Sequence, residues 1–209
     1  KKLKNQLKNH SLQGMMYNIT QIFTDNEIEK LFAVRIKKIR TPHDNESLLF
    51  DDRRGLEYLM ALDYQSYLPD DILQKVDRAT MACSLEGREP FLDHMVIEWG
   101  ARLPDGFKYF NGERKYILKQ LVHKYVPKEM MDRKKMGFSI PISKLLSSDL
   151  KDLLYSYLDD SMLRKHGLFN IQYVNKMLQE FIGGKEGHYL KLWHILIFQM
   201  WYEKWVDEQ

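Results

Sequence analysis

The 209-residue sequence predicts an all-α protein. Its apolar residues recur mostly at intervals of three and four, which is the spacing of one face of an α-helix. Alternation of apolar and polar residues, the pattern of a strand, is nowhere sustained over more than a few positions. The connections between the apolar stretches are short. We therefore expect about nine or ten helices, in one helical domain or fragment over residues 1–209.

Helical patterns follow one another through the first third of the chain. An apolar stripe over 15–23 predicts a short helix, and the polar pair at 24–25 caps a second one with apolar side chains over 28–32. A turn at 41–46, with the sequence TPHDNE, precedes a third helical pattern over 47–62. This part of the chain needs no strand.

The stretch 63–93, DYQSYLPDDILQKVDRATMACSLEGREPFLD, mixes charges with apolar residues at helical spacing. Pro69 and the two aspartates after it predict a helix start near Tyr67, because proline suits a first helical turn and acidic groups complement the helix dipole. The apolar positions that follow predict a buried stripe about three turns long: Ile72, Leu73, Val76, Thr80 and Met81. Pro90 then stops the helix, and Asp93 caps the next one.

The second half predicts further helices between short turns. A turn at 111–113 precedes a helix over 116–125, and helices follow at about 142–158 and 170–182. The last helix, 188–203, carries apolar residues on two faces, so we expect a central helix that is buried on all sides.

Charged residues within 63–93 are candidates for a site. Glu86 and Arg88 stand two positions apart in a segment with small and apolar neighbours, and buried charges need partners. A purely structural ion-pair network is one hypothesis, with Asp77, Arg78 and Asp93 as further members. A functional role for the same charges stays open beside it.

A second candidate is the cationic segment 133–138, RKKMGF. Three consecutive cations followed by a glycine fit a solvated loop. They also fit polyphosphate binding, because the glycine allows the backbone to approach a ligand closely. Composition leaves both interpretations open.

Bulk composition excludes several classes. A net charge of +3 from 32 basic and 29 acidic residues is too balanced for a nucleic-acid binder, so the run 35–40, RIKKIR, is interpreted as a solvated helix face. One cysteine, Cys83, allows no intramolecular disulfide and fits a reducing, cytoplasmic compartment. No apolar run reaches the ~18 residues of a membrane span. No His, Cys or carboxylate set has metal-ligand spacing, so we predict no metal ligands here.

Three blocks together resemble the synthetase domain of glutamine-hydrolysing asparagine synthetases. They are LPDDILQKVDRATMACSLEGREPFLD, then GERKYILKQ at 112–120, and RKKMGFSIPI at 133–142. The resemblance is densest over about 58–145 and covers the carboxy-terminal part of that domain. It implies a helical portion of an ATP-pyrophosphatase-type domain that is α/β in the parent protein.

The resemblance implies an ATP-dependent carbon–nitrogen ligase of asparagine biosynthesis. In such enzymes an amino-terminal glutaminase releases ammonia from glutamine, and the synthetase adenylates the aspartate side chain with ATP and Mg²⁺ before ammonia forms the amide. The family's Ser-Gly-Gly-x-Asp-Ser phosphate loop does not occur in residues 1–209, and Cys83 is not a terminal nucleophile. The chain also starts at Lys1 without an initiator Met. We therefore expect a fragment that is inactive alone, with the ATP and Mg²⁺ ligands mostly outside it.

The resemblance also implies roles for individual residues. Lys135 occupies the position of a lysine that contacts the phosphates during adenylation, with Arg133 and Lys134 beside it. Glu86 matches a glutamate that assists proton transfer in β-lactam-forming relatives, and Arg88 is expected to bind substrate or phosphate.

Alternatives from other classes stay open. Relatives that amidate other carboxylates, such as sugar acids, share the same blocks, and an all-α protein-interaction module would need the charges only for structure. The expected partners are ATP, aspartate or another carboxylate, and ammonia. We expect no nucleic acid and no membrane, and a homodimer stays open.

Overall fold

A computed structural model describes residues 11–37, 39–48, 55–131 and 140–207. The chain divides into two compact units. Residues 40–136 form one unit, here called the inserted unit, because it interrupts the other in sequence. Residues 1–39 and 137–209 form the discontinuous unit.

The described residues contain thirteen α-helices and one two-stranded antiparallel sheet. In chain order the helices are α1 Leu12–Thr20, α2 Asp25–Leu31, α3 Gly55–Gln65, α4 Gln74–Met81, α5 His94–Arg102, α6 Asp105–Lys108, α7 Tyr116–Val122, α8 Lys128–Met131, α9 Ile142–Ser147, α10 Lys151–Tyr157, α11 Asp160–His166, α12 Ile171–Ile182 and α13 Tyr189–Tyr202. The strands are β1 Tyr109–Phe110 and β2 Glu113–Arg114. The all-α prediction is confirmed, although the helices are shorter and more numerous than expected.

The discontinuous unit has a continuous apolar core. Its buried side chains come from α2 and from α9 to α13 and the loop before α12: Leu31, Leu146, Leu154, Leu158, Leu163, Phe169, Val174, Met177, Leu178, Phe181, Leu192, Ile195 and Leu196. The two segments of this unit join through their backbones, because Asn170 N donates to Leu31 O (2.7 Å) and Ala33 N donates to Leu168 O (2.9 Å). The last helices therefore complete a core that the first helices begin.

Helix α13 is buried on one side only. Leu192, Ile195 and Leu196 lie in the core, whereas Ile197 is 44% exposed and Trp201 is 51% exposed. The prediction of a helix buried on all sides is wrong. The partners α9, α10 and α12 pack against α13 and leave the opposite stripe uncovered in the described residues.

The helix predicted over 142–158 is two helices, α9 and α10. The Ser147 hydroxyl donates to Ser143 O and the Ser148 hydroxyl donates to Lys144 O, both at 2.9 Å. Hydroxyls that bond the carbonyls four residues back bend or weaken a helix. The backbone leaves helical geometry at Ser148, with φ −126° and ψ −94°.

The inserted unit buries few apolar side chains. Leu48, Tyr58 and Leu62 are its buried apolar residues in the described part of the chain. Its hairpin β1–β2 turns at Asn111 and Gly112, whose φ angles are 47° and 83°. Positive φ at both central residues is the requirement of a tight two-residue hairpin turn, so the predicted turn is confirmed.

The predicted helix start near Tyr67 is confirmed, although the turn that begins there is π-helical. It spans Leu68–Leu73 and leads into α4, with Pro69 at its start and Asp70 and Asp71 in its first turn. Proline cannot donate the backbone hydrogen bond of a helix interior, so a position in the first turn suits it.

None of the helices in the described ranges is long and apolar enough to cross a membrane.

Candidate functional site

Helix α4 ends in a reversal that is stabilised by two backbone hydrogen bonds. Leu85 N donates to Thr80 O (3.0 Å), and Ser84 N donates to Met81 O (2.9 Å). This pattern is a Schellman motif, which requires a left-handed residue just past the helix. Ser84 takes that conformation with φ 58°, although glycine is the usual residue there. The chain consequently turns back toward the helix it has just left.

Gly87 lies against the side of α4. A Cβ atom at Gly87 would lie 3.6 Å from Val76 Cγ1 and 4.0 Å from Thr80 Oγ1. The Thr80 hydroxyl donates a hydrogen bond to Val76 O (2.9 Å). Its proton is therefore used within α4 and does not bind the backbone near Gly87. This packing positions the two side chains that flank Gly87.

Glu86 and Arg88 form a bidentate ion pair across Gly87. Arg88 Nε lies 3.2 Å from Glu86 Oε1, and Arg88 Nη2 lies 3.1 Å from Glu86 Oε2. The arginine side chain is 83% exposed and the glutamate side chain is 67% exposed. The expected partly buried setting is therefore wrong. An exposed pair of this kind contributes only about 0–1 kcal/mol to the stability of the fold.

The stripe beneath this segment is also more exposed than predicted. Val76 is 36% exposed and Met81 is 54% exposed, while Ile72, Leu73 and Thr80 are half-buried. The sequence shows which face of α4 is apolar, but burial requires another element to cover that face. In the described residues nothing covers it fully.

The remaining candidates on this stretch lie apart from the pair. Asp77 and Arg78 are exposed on α4 and form no ion pair with a described residue. Asp93 caps α5, because its Oδ1 accepts from Met95 N (2.9 Å) and from Val96 N (3.4 Å). The predicted helix cap at Asp93 is confirmed.

A second ion pair lies on the helical stretch before Glu86. Lys75 Nζ lies 2.7 Å from Asp71 Oδ1, one helical turn away. The hydrogen bond from the lysine to Asp71 raises the pKa of Lys75. Lys75 is thus paired with a carboxylate. Arg78, about one turn later, forms no ion pair with a described carboxylate.

The block 112–120 adds polar residues that sequence analysis did not single out. Lys119 Nζ donates to Glu113 Oε1 (3.0 Å), and both side chains are about a third exposed. Lys115, the residue just before α7, has the left-handed conformation, with φ 56°. Strained backbone at a residue other than glycine clusters at functional sites. The available signal was the Asn-Gly turn just before it, which fixes a hairpin at this point.

The cationic residues Arg133, Lys134 and Lys135 lie outside the described residues. Their proposed contact with phosphate stays a prediction. No group of three His, Cys, Asp or Glu side chains that could hold a metal ion occurs within the described ranges.

Chemically, the exposed pair offers a carboxylate and a guanidinium at one place. Bidentate contact uses only part of the N–H donors of Arg88, so the guanidinium can also bind a phosphate or a carboxylate.

Residues 3–203 match the family model described as asparagine synthase. The chain is 30% identical over 184 residues to glutamine-hydrolyzing asparagine synthetase 1 of Bacillus subtilis, a match that covers 83% of this chain and 29% of that protein. It is 37% identical over 101 residues to the glutamine-hydrolyzing asparagine synthetase of Gallus gallus, which covers 46% of this chain and 18% of that protein. No solved structure matches the chain.

The chain spans less than a third of the length of these relatives. The family match nevertheless extends over nearly all of residues 1–209 and includes all three blocks that carry the resemblance. The chain belongs to the asparagine synthase family.

Proposed function

We propose that this chain is the carboxy-terminal part of a glutamine-dependent amidotransferase that forms asparagine. In the proposed reaction, ATP adenylates the aspartate side-chain carboxylate, and ammonia from glutamine displaces AMP to form the amide. The family match and the names of the relatives support this proposal. ATP, Mg²⁺, aspartate and ammonia are accordingly the proposed ligands and partners, and the cytoplasm is the proposed location.

The observation that carries the proposal is the exposed bidentate pair of Glu86 and Arg88 on the reversal after α4. A Schellman turn and a glycine packed on α4 fix the backbone around a pair that contributes little to stability. A rigid backbone that presents reactive side chains to solvent is the arrangement expected of a binding or catalytic site. We assign Arg88 to the binding of carboxylate or phosphate, and Glu86 to proton transfer from the attacking ammonia.

Lys135 is the proposed phosphate contact, with Arg133 and Lys134 beside it. A lysine suits this role because a mobile point charge can follow a leaving pyrophosphate. The metal ligands are proposed to lie outside this chain, because the family's phosphate loop is not in its sequence. The isolated chain is therefore expected to show no ATP-to-AMP turnover.

The test uses the longer protein proposed to contain this chain, assayed for AMP release with ammonia and aspartate. Glu86→Gln removes the proton acceptor and keeps the shape, and we expect kcat to fall about 10²–10⁴-fold. Glu89→Gln is the matched control, because Glu89 is an exposed neighbouring glutamate. An equal small effect of both variants would remove Glu86 from the mechanism. AMP release with a sugar acid but not with aspartate would replace the proposed acceptor.

A further inference from the structure

The π-helical turn Glu203–Asp207, here called the 203–207 turn, follows α13 and contacts two earlier helices. The Tyr157 hydroxyl, at the end of α10, donates to Glu203 Oε2 (2.6 Å). Lys165 Nζ, near the end of α11, lies 2.5 Å from Asp207 Oδ2 and 4.0 Å from Glu203 Oε1. Both carboxylates of the turn therefore bind helices that precede α12, within the discontinuous unit.

His166 lies beside these contacts, and its side chain is fully buried. Its Nδ1 lies 2.8 Å from Gln199 Oε1 and donates to it, because the Gln199 amide nitrogen already donates to Tyr157 O. In a neutral imidazole the other nitrogen, Nε2, is then a hydrogen-bond acceptor. Nε2 lies 3.9 Å from Asp207 Oδ2 and has no hydrogen-bond partner in the described residues. Two acceptors cannot bind each other, so the neutral ring leaves a buried nitrogen unsatisfied beside a carboxylate.

The charged groups that form one cluster with His166 do not balance while its ring is neutral. They are one ammonium from α11 and two carboxylates from the 203–207 turn: Lys165, Glu203 and Asp207. The contacts that α13 makes with the ring are uncharged, since they come from the Gln199 amide and the Tyr202 ring. One negative charge is therefore uncompensated, and a proton on Nε2 would bring the cluster to neutrality.

Other charges near α11 have their own partners. Arg164 and Asp160 pair with each other on α11 (2.8 Å), and Lys204 of the 203–207 turn lies over the Trp205 ring. Helix α12 also packs against α11, but none of its described side chains forms an ion pair or a hydrogen bond with the buried imidazole. The cation that opposes a positive charge on the ring is therefore the lysine of the cluster, which is itself paired with a carboxylate.

The surroundings of the ring can stabilise its charged form. Burial disfavours a charged imidazole, so other groups must offset that cost. The Tyr202 ring lies 4.8 Å from the imidazole, measured between centroids, a distance at which an aromatic ring can attract a cation. The hydrogen bond from Lys165 and the charges of Lys165 and His166 outweigh burial and lower the pKa of Asp207. Asp207 is therefore ionised over the pH range in which a histidine titrates.

We propose that His166 is a pH-dependent clamp for the 203–207 turn. On mild acidification Nε2 takes up a proton from solvent, and the imidazolium donates to Asp207 while Nδ1 keeps its bond to Gln199. The two atoms then approach by about 1 Å, to the ~2.8 Å of a charge-assisted hydrogen bond. Below about pH 6.5 the turn is thus held on α11 by His166 and Lys165 together. As the pH rises through the titration of His166, the proton leaves and this added contact is lost.

Nitrogen–hydrogen correlation NMR of the His166 ring, in the 209-residue chain, tests the protonation step. The ring signals are assigned by correlation to the backbone of the same residue. We expect Nδ1 to carry hydrogen at both about pH 8 and about pH 5.5, and Nε2 to gain a hydrogen only at the lower pH. An Nε2 that stays unprotonated there would overturn the proposal.

Hydrogen exchange of the backbone amides in the 203–207 turn tests the clamp itself. After correction for the intrinsic pH dependence of exchange, we expect protection to be about three- to tenfold higher at about pH 5.5 than at about pH 8. Asp207→Asn should abolish this difference, because it removes the charged acceptor. Asp160→Asn is the matched control, because Asp160 is an ion-paired aspartate on α11 that does not contact His166. It should keep the difference.

Equal protection of the wild-type turn at the two pH values would overturn the proposal. So would a pH difference that persists in Asp207→Asn, or one that disappears equally in Asp160→Asn. Asp207 lies outside the apolar core and its side chain is 32% exposed, so Asp207→Asn should still fold. None of these measurements depends on the proposed reaction.

Discussion

The imidazole Nδ1 of His166 lies 2.8 Å from the amide Oε1 of Gln199, and the His166 side chain and Gln199 are both inaccessible to solvent. Gln199 Nε2 donates to Tyr157 O (3.3 Å), which fixes the orientation of the amide. His166 Nδ1 therefore carries a hydrogen atom and donates a hydrogen bond to Gln199 Oε1. This polar pair ties the end of α11 to α13 inside the core of the discontinuous unit.

Gln199→Leu should destabilise the discontinuous unit. The substitution leaves the Nδ1–H of His166 buried without an acceptor, which costs about 1–3 kcal/mol. Thermal or denaturant unfolding followed by circular dichroism measures the change. Gln172→Leu is the control, because Gln172 is exposed on α12. A similar loss in both variants would show that the buried pair adds nothing.

Glu27→Gln should make the stability of this unit less dependent on acid pH. Burial raises the pKa of Glu27, but hydrogen bonds from Lys191 and Thr24 outweigh it and hold the pKa below its usual value. The ionised carboxylate therefore stabilises the fold above the unfolded pKa of about 4.3, and this contribution is lost as pH falls through the folded pKa.

The difference in unfolding free energy between wild type and Glu27→Gln should be about 1–2 kcal/mol at neutral pH. It should shrink below about pH 5 and disappear in strong acid. Denaturant titrations at several pH values measure it. Glu29→Gln, an exposed change on the same helix, should have no such profile. A pH-independent difference would show that the loss is steric.

Ser84→Gly should stabilise the reversal after α4. Ser84 holds φ at 58°, a conformation that costs a residue with a Cβ about 1–2 kcal/mol and costs glycine little. We expect slower hydrogen exchange of the α4 amides, by a few-fold. Ala79→Gly, an exposed change within α4, should have the opposite effect, because glycine weakens a helix interior by ~1 kcal/mol. Faster exchange in Ser84→Gly would contradict the assignment of the motif.

Lys135→Ala, in the longer protein, should lower ammonia-dependent synthesis and AMP formation by orders of magnitude. The loss of one charge contact in the transition state costs ~3–4 kcal/mol. Lys134→Ala should change the rate much less. Thermal midpoints should move by only a few degrees in both variants, and glutaminase activity should persist. Near-normal synthesis by Lys135→Ala would make this lysine a solvated cation.

Local sequence predicted the features that depend on residues close together in the chain. Helix α12, the hairpin turn at Asn111 and the caps at Thr24 and Asp93 are all determined within about four positions. For example, Thr24 Oγ1 accepts from Glu27 N, and the Glu27 carboxylate accepts from Thr24 N. These are the contacts that periodicity and capping rules describe.

Burial and long-range pairing could not be predicted in this way. An apolar stripe shows which face of a helix seeks a partner, but not whether one covers it, as Val76 and Ile197 show. The His166–Gln199 bond joins residues 33 positions apart, so no local pattern indicates it. At the candidate site, the sequence singled out the charged residues Glu86 and Arg88 but predicted partial burial, whereas both side chains are exposed. It also missed Ser84, because a left-handed serine lacks the glycine signal.

Because residues 40–136 interrupt the discontinuous unit, its two segments, 1–39 and 137–209, are synthesised at different times although they pack together in the folded unit. Glu27 and Lys191 are 164 positions apart, so at about 5–20 residues per second the ribosome makes the lysine roughly 10–30 s after the glutamate. Closing a loop of that length costs about 4–5 kcal/mol of chain entropy before any contact forms. Until α12 and α13 have been synthesised, helix α2 therefore lacks these packing partners and the Leu31 side chain stays exposed. This nascent stage is where chaperone binding and misfolding are expected to concentrate.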